Sequence, residues 1–484
     1  MRRLAVGLAL IGIIATGCGP GSGSAAAPPA PTVTGAAGDT HASAYDAAES
    51  RPREDTIYPD VGDPGVDALH YGLDLRWDDR AQRLTATETL LFRAATSADH
   101  VQLDLARQLQ VGHVWLDGKA VEFEHPGKDL VVKAAVRADS RHLLQVTYAG
   151  TPEPVVAPTD RADFSTTGWT IAPDGTVWTM QEPYGAYSWY AVNDHPSDKA
   201  FYDVTVHAPK GRVGVSNGQL LSRTSSAEGT VTRWRMPEPA ASYLVTIAIG
   251  RYTETTDTGP HGLPISYWTP SDRPELVAGL RYTPQAVRYL ETKVGRYPFP
   301  TLGVLLVPSR SAMETQSMVT LGIGDYTLSR DVLVHEIAHQ WYGDTVTPDD
   351  WSDLWMNEGM ATYLAEANWT GDHTRRSRTG ILRQWSSFVA GMRREYGAPA
   401  AYRPGTFGEG NAYYIPALMW DTLRQRLGDQ EFWSLARRWL TTHRFTSQDR
   451  DSLAAWWSQA SGQDLTPVFH RWLLGPTEPA WHAG

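Results

Sequence analysis

The chain has 484 residues, 42% of them hydrophobic and 20% charged, so it is globular and long enough for two or three domains. Its formal net charge of -11 argues against a nucleic-acid partner, because no basic excess is present to neutralise phosphates. A single cysteine excludes an intramolecular disulfide.

The N-terminus reads as an export signal over residues 1–18. Arg2 and Arg3 precede the apolar run LAVGLALIGIIAT at 4–16. As a helix that run rises roughly 20 Å, short of a bilayer core of about 30 Å. It closes on ATGC, so Cys18 follows small residues and resembles the lipidated cysteine of a bacterial lipoprotein, with Ala15 where leucine is commoner. The expected location is the outer face of the bacterial cell membrane, held there through a lipidated Cys18. Residues 19–62 are small and Pro-rich and read as a disordered tether.

From residue 63 to 255 short alternating segments such as LHYGLDLRW, LTATETLLF and HLLQVTYAG are separated by DG, PG and NG turn signals. They predict an N-terminal all-β saddle or sandwich domain. From about 275 apolar residues recur at three-to-four spacing, so the domain at 256–484 is expected to be α+β and largely helical toward its end. The fold class is thus a multidomain α+β protein.

Within that second part stands VLVHEIAHQWYGD, residues 332–344. Ser329 can cap a helix through Val332–Tyr342 that Gly343 ends. His335 and His339 then lie one turn apart on one face, where two imidazoles can hold one Zn²⁺. Glu336 is placed to act as general base on a water activated by that metal. A catalytic zinc takes a third protein ligand, and Glu358 follows His339 with eighteen residues between, in LWMNEGMATYLAE. Asp349 or Asp350 can cap that second helix.

Here the sequence resembles the zinc aminopeptidases of the aminopeptidase N family, a branch of the gluzincins. The resemblance runs through EPYGAYSWYAVNDHPSDKA, SNG, MPEPAASYLVTIAIGRY, YPFP, AMETQ, HEIAHQWYGD with NEG, and SGQDL, in the family's order across about 65–475. It implies a thermolysin-like catalytic domain with one Zn²⁺ per chain, and peptides with a free N-terminus as substrates. It puts Tyr413 in NAYYIPALMW on the family's oxyanion-stabilising tyrosine, with Ala417 on the family alanine. Ile415 and Pro416 replace a basic residue and a glycine, and Tyr414 stays a competitor. It puts Glu314 of SAMETQ and Glu182 of QEPYGA on the substrate amine, with Gln181 in the same pocket. The backbone at Ala312 and Met313 would pair with an extended substrate. Many members carry a supporting carboxylate seven residues past the third ligand, where this chain has Ala365 with Glu366 next to it.

Long family members also carry a helical C-terminal domain, so an open cleft is expected here, or one closed by a partner or by residues 395–412. The reading is a zinc aminopeptidase. Its alternatives are a catalytically inactive peptide-binding lipoprotein, or an endopeptidase or epoxide hydrolase at the same zinc site.

Overall fold

The computed structural model describes residues 43–477 and 479–483, with Ala30 and Thr40. The expected signal peptide, Cys18 included, lies outside the described residues, as does most of 19–42. No helix among the described residues is long and apolar enough to cross a membrane.

The N-terminal half is built on an eight-stranded sheet in which Val66–Asp78 and Lys199–Pro209 pair in parallel and the other neighbours are antiparallel. The alternation seen in the sequence is the alternation of faces: Leu73, Leu75 and Trp77 are buried, whereas Asp74, Arg76 and Asp78 are exposed. A five-stranded sheet that includes Thr166–Ile171, Val177–Met180 and Ile247–Gly250 contributes to the same core. Trp169, Trp189, Tyr190 and Tyr202 fill that core, with Trp169 and Trp189 ring centroids 6.4 Å apart.

The second half opens on another five-stranded sheet, ordered Tyr252–Thr258, Pro264–Pro270, Leu302–Val307, Met318–Gly322, Ala312–Met313. Its first strand crosses the boundary expected at 255. Its last strand, Ala312–Met313, is at the sheet edge and, among the described residues, pairs only with Met318–Gly322. Helices from Thr283–Val294, which lies between the second and third of these strands, to Thr466–Leu473 surround a separate core containing Trp355, Trp420, Trp439 and Trp457.

The expected tether is corrected over its C-terminal part. Ser43–Ala48 forms a short 3-10 helix, and residues 50–62 are strapped across both halves. Asp55 is 2% exposed and accepts from the backbone N–H groups of Ile57 (2.8 Å), Tyr58 (2.8 Å) and Trp351 (2.7 Å). The Thr56 hydroxyl donates to Asp350 at 2.7 Å, and the Tyr58 hydroxyl to the Pro404 carbonyl at 2.9 Å. Composition misses this order because polar side chains, rather than a run of apolar ones, hold the strap down.

Candidate active site

Two short helices carry the histidine and glutamate side chains. Arg330–Ala338 begins at Ser329, whose hydroxyl accepts from the Val332 N–H, and carries His335 and Glu336. The α-helix ends earlier than expected, at Ala338. His339 is still helical at its C-cap, and Gly343 takes φ 132°, a region open to glycine, as the chain turns away. Asp350 caps the 3-10 turn Trp351–Asp353, which leads into Trp355–Thr362 and places Glu358.

His335 Nε2 lies 3.0 Å from His339 Nε2 and 3.1 Å from Glu358 Oε2, and His339 Nε2 lies 3.3 Å from the same oxygen. All three residues are buried. His339 Nδ1 sits 3.0 Å from the Tyr342 carbonyl, which holds the proton on Nδ1 and leaves the Nε2 lone pair facing the other two atoms. Three electron-rich atoms drawn this close need a cation among them. Their separations of 3.0–3.3 Å come close to, and lie slightly inside, the edges of roughly 3.3–3.6 Å expected of a tetrahedron with zinc–ligand bonds of about 2.0–2.2 Å. The residues fit the metal. Burial works against the Glu358 carboxylate, yet the two imidazoles hold its pKa below the ordinary value.

More carboxylates converge behind this centre. Oxygens of Glu182, Glu314 and Glu358 lie within 4.8 Å of one another, as do oxygens of Glu314 and Glu336 with a His339 nitrogen. Burial, then the neighbouring carboxylates Glu314 and Glu358, pushes Glu182 well above its ordinary pKa, and burial raises Glu314 and Glu336 too. Glu182 Oε1 and Glu314 Oε1 are buried without a hydrogen-bond partner. Ala312 and Met313 line the cleft beside them. Gln181 does not, and that expectation is corrected: it is fully buried, donates to the Ser242 carbonyl at 2.8 Å and accepts from Trp189 Nε1 at 2.8 Å. The period-two alternation that aims Trp178, Met180 and Glu182 into the cleft turns Gln181 the other way.

The helix Gly410–Leu427 brings both tyrosines to the cleft, at different places. Tyr413 stacks on His335, centroids 6.0 Å apart at 18°. Tyr414 tilts against Trp385 at 5.1 Å, and the nearby Glu366 carboxyl, followed by burial, raises its pKa. Pro416 lies inside this helix and meets Gly359 of the Glu358 helix, where a Cβ would stand 2.6 Å from Pro416 Cβ and Cγ. The wide π-helical turn Tyr363–Trp369 follows, burying Ala365 and turning Glu366 into the cavity wall. Burial, with Asp331 adding to it, pushes Glu366 up to about 7.

The cleft encloses about 780 Å³ and draws its walls from both halves. Of the loop 395–412, its end at Gly408, Glu409 and Gly410 lines the cavity. Opposite stands a segment that the sequence does not point out, 158–165. Phe407 N–H donates to the Pro158 carbonyl at 3.0 Å and the Thr159 hydroxyl to the Phe407 carbonyl at 2.7 Å.

Residues 67–244 match the family profile described as the Peptidase M1 N-terminal domain, and residues 280–472 match the Peptidase family M1 domain. The chain is 23% identical over 443 residues to an aminopeptidase N of Lactobacillus helveticus, covering 86% of this chain and 51% of that protein. It is 26% identical over 309 residues to a probable aminopeptidase 1 of Sulfurisphaera tokodaii, covering 60% and 36%. The chain thus spans about a third to a half of the length of these curated relatives. Among solved structures, an M1 zinc metallopeptidase from Deinococcus radiodurans superposes with a TM-score of 0.78 at 25% identity, covering 88% of this chain and 98% of that one. Yeast LTA4 hydrolase shares the fold at 19% identity, with a TM-score of 0.70 over 86% of this chain and 69% of that one.

Proposed function

The chain belongs to the M1 family of zinc peptidases, and from that premise we propose that it is an aminopeptidase that removes single residues from the free N-termini of peptides. The observation that carries the reading is the cluster of buried carboxylate oxygens on Glu182 and Glu314 that find no hydrogen-bond donor among the described residues, beside the His335–His339–Glu358 centre. A protonated terminal amine is the cation those oxygens lack, and burial makes the demand strong.

His335, His339 and Glu358 would hold zinc, which when bound supplies Lewis acidity to a water and to the scissile carbonyl. Glu336 takes the proton from the attacking water and returns one to the leaving amine. Tyr413 donates its hydroxyl proton to the oxygen on which negative charge develops. Glu182 and Glu314 grip the amine, and the free edge of Ala312–Met313 accepts the substrate backbone as an added strand. A blocked amine would leave the carboxylates unpaired, which disfavours the endopeptidase and epoxide-hydrolase alternatives. A binding protein has no use for Glu336 as a base. The export signal and Cys18 support a lipid-anchored enzyme facing outward from the cell membrane, acting on peptides there.

The test is hydrolysis of a panel of aminoacyl-anilides and their N-acetylated counterparts, with zinc content measured in parallel. Cleavage of free-amine substrates alone, abolished by chelation, is the expected result. Equal cleavage of the acetylated set would overturn the exopeptidase assignment. Zinc bound at one per chain with no turnover would favour the binding protein.

A further inference from the structure

Arg161 leaves the β half on the loop 158–165 and reaches the catalytic tyrosine. Its Nη1 donates to the Gly408 carbonyl at 2.7 Å and to the Tyr413 hydroxyl oxygen at 3.2 Å. The rest of its fork is held by Asp163, from Nε at 3.1 Å and from Nη2 at 2.6 Å. The Ser311 hydroxyl, next to the edge strand, donates to the same Asp163 carboxylate at 3.5 Å. The Phe164 ring lies under the guanidinium at 4.7 Å. One side chain therefore touches the start of the Tyr413 helix, its own loop and the phenol oxygen itself.

We propose that Arg161 is a positioning residue for the reaction, acting through Tyr413. This role rests on the reading of Tyr413 as the oxyanion donor. A phenol carries one proton and accepts through its lone pairs, while a guanidinium can only donate. With Arg161 donating to its oxygen, Tyr413 cannot aim its proton at that neighbour and must present it elsewhere, and the Glu358 carboxylate is a hydrogen-bond partner there. A charged donor on the phenol oxygen also draws density from it, so the remaining O–H becomes a stronger donor in a water-poor site. A pin that only joined the two halves would need the Gly408 carbonyl and would have no reason to meet the tyrosine oxygen.

The experiment is a cycle of four proteins with zinc bound: wild type, Arg161→Met, Tyr413→Phe and the double variant. kcat and KM are measured on one aminoacyl-anilide, with melting temperature and zinc content alongside. Arg161→Met should lower kcat about tenfold or more while KM moves less than about threefold, a loss confined to the transition state. In the Tyr413→Phe background the same change should cost less than about twofold, since the group it acts through is gone. Millimolar guanidinium should restore part of the single variant's rate and none of the double's. Equal losses in the two backgrounds would make Arg161 a structural pin and overturn the proposal. Full activity of Tyr413→Phe would remove the tyrosine's assigned role and this inference with it, while leaving the aminopeptidase assay itself positive. If Arg161→Met does not fold, Asp163→Asn carries the same cycle, because it keeps the cation and releases the fork that aims it. A loss seen only when Tyr413 is present supports the proposal, and equal losses overturn it.

Discussion

Glu336 is 7% exposed beside the ligand helix's own histidines, so its removal should spare metal binding and abolish proton transfer. Glu336→Gln is expected to retain one zinc per chain while kcat falls by about 10²–10⁴, as shown by metal analysis beside steady-state rates. Glu314→Gln should act differently. It removes one grip on the amine, so KM should rise and the preference for free over acetylated substrates should shrink. An unchanged preference would take Glu314 out of that role. His335, Glu336 and His339 are legible in the sequence because helical periodicity alone puts them together. Glu358 follows from the need for a third ligand on the next helix, whereas Glu314, Glu182 and Tyr413 require a resemblance, since each comes from a different element and no local period links them. Gln181 misleads because neighbours just past the strand Val177–Met180 turn to opposite sides, Glu182 into the cleft and Gln181 into the core. Arg161 carries no signal: PTDRADF looks like any polar loop, and only the tertiary path brings it to the cleft.

At the scale of elements, the site depends on how closely two helices approach. Gly359 and Pro416 meet where Trp355–Thr362 crosses Gly410–Leu427, and these helices carry Glu358 and Tyr413. Gly359→Ala should therefore push them apart, costing about 1–3 kcal/mol of stability in denaturant melts and lowering kcat. Adding Pro416→Gly, which removes both atoms the new Cβ would meet, should recover part of both. Proline in place of the family's glycine reads as a defect in the sequence, whereas the structure shows it packed on a glycine in the facing helix. The strand Arg83–Ala94 supports a pH prediction. Glu88 is fully buried, accepting from the Tyr148 hydroxyl at 3.0 Å and the Ala191 N–H at 2.9 Å. Burial outweighs both bonds and pushes it up to about 8 from 4.5. The folded state thus keeps a proton that the unfolded chain releases between those values. Its contribution to stability is full below about pH 4.5 and is lost as pH rises through about 8. Glu88→Gln should flatten that decline, read as the difference between wild-type and variant unfolding free energies from pH 5 to 9.

At the scale of the molecule, strand alternation and the later helical period are enough to read a β half followed by a mixed, helix-rich half. What joins the halves is not readable. The strap at 50–62 and the loop 158–165 are polar segments whose partners lie hundreds of residues away, as in the hydrogen bond between Thr56 and Asp350. A chain starting at residue 63 should melt well below one starting at Ser43, by about 2–4 °C for each kcal/mol that the strap contributes. Asp55→Ala, which strands the Trp351 N–H, should reproduce a share of that loss, about 1–3 kcal/mol. Equal melting of the two chains would mean that the strap rests on the surface without holding it.

The carboxylates of Glu182 and Glu314 stand a few ångströms from Glu358, and in the proposed function that spacing would work as a ruler one residue long. What it measures is distance from a positive charge, so the peptide's far end and total length do not enter. On that proposal each cut would present a new charge at the same mark, and digestion would continue until chemistry hides the terminus. A cyclised or acylated first residue is such a stop. In a peptide mixture exposed to this protein, survivors would be sorted by the state of their first nitrogen more than by their sequence.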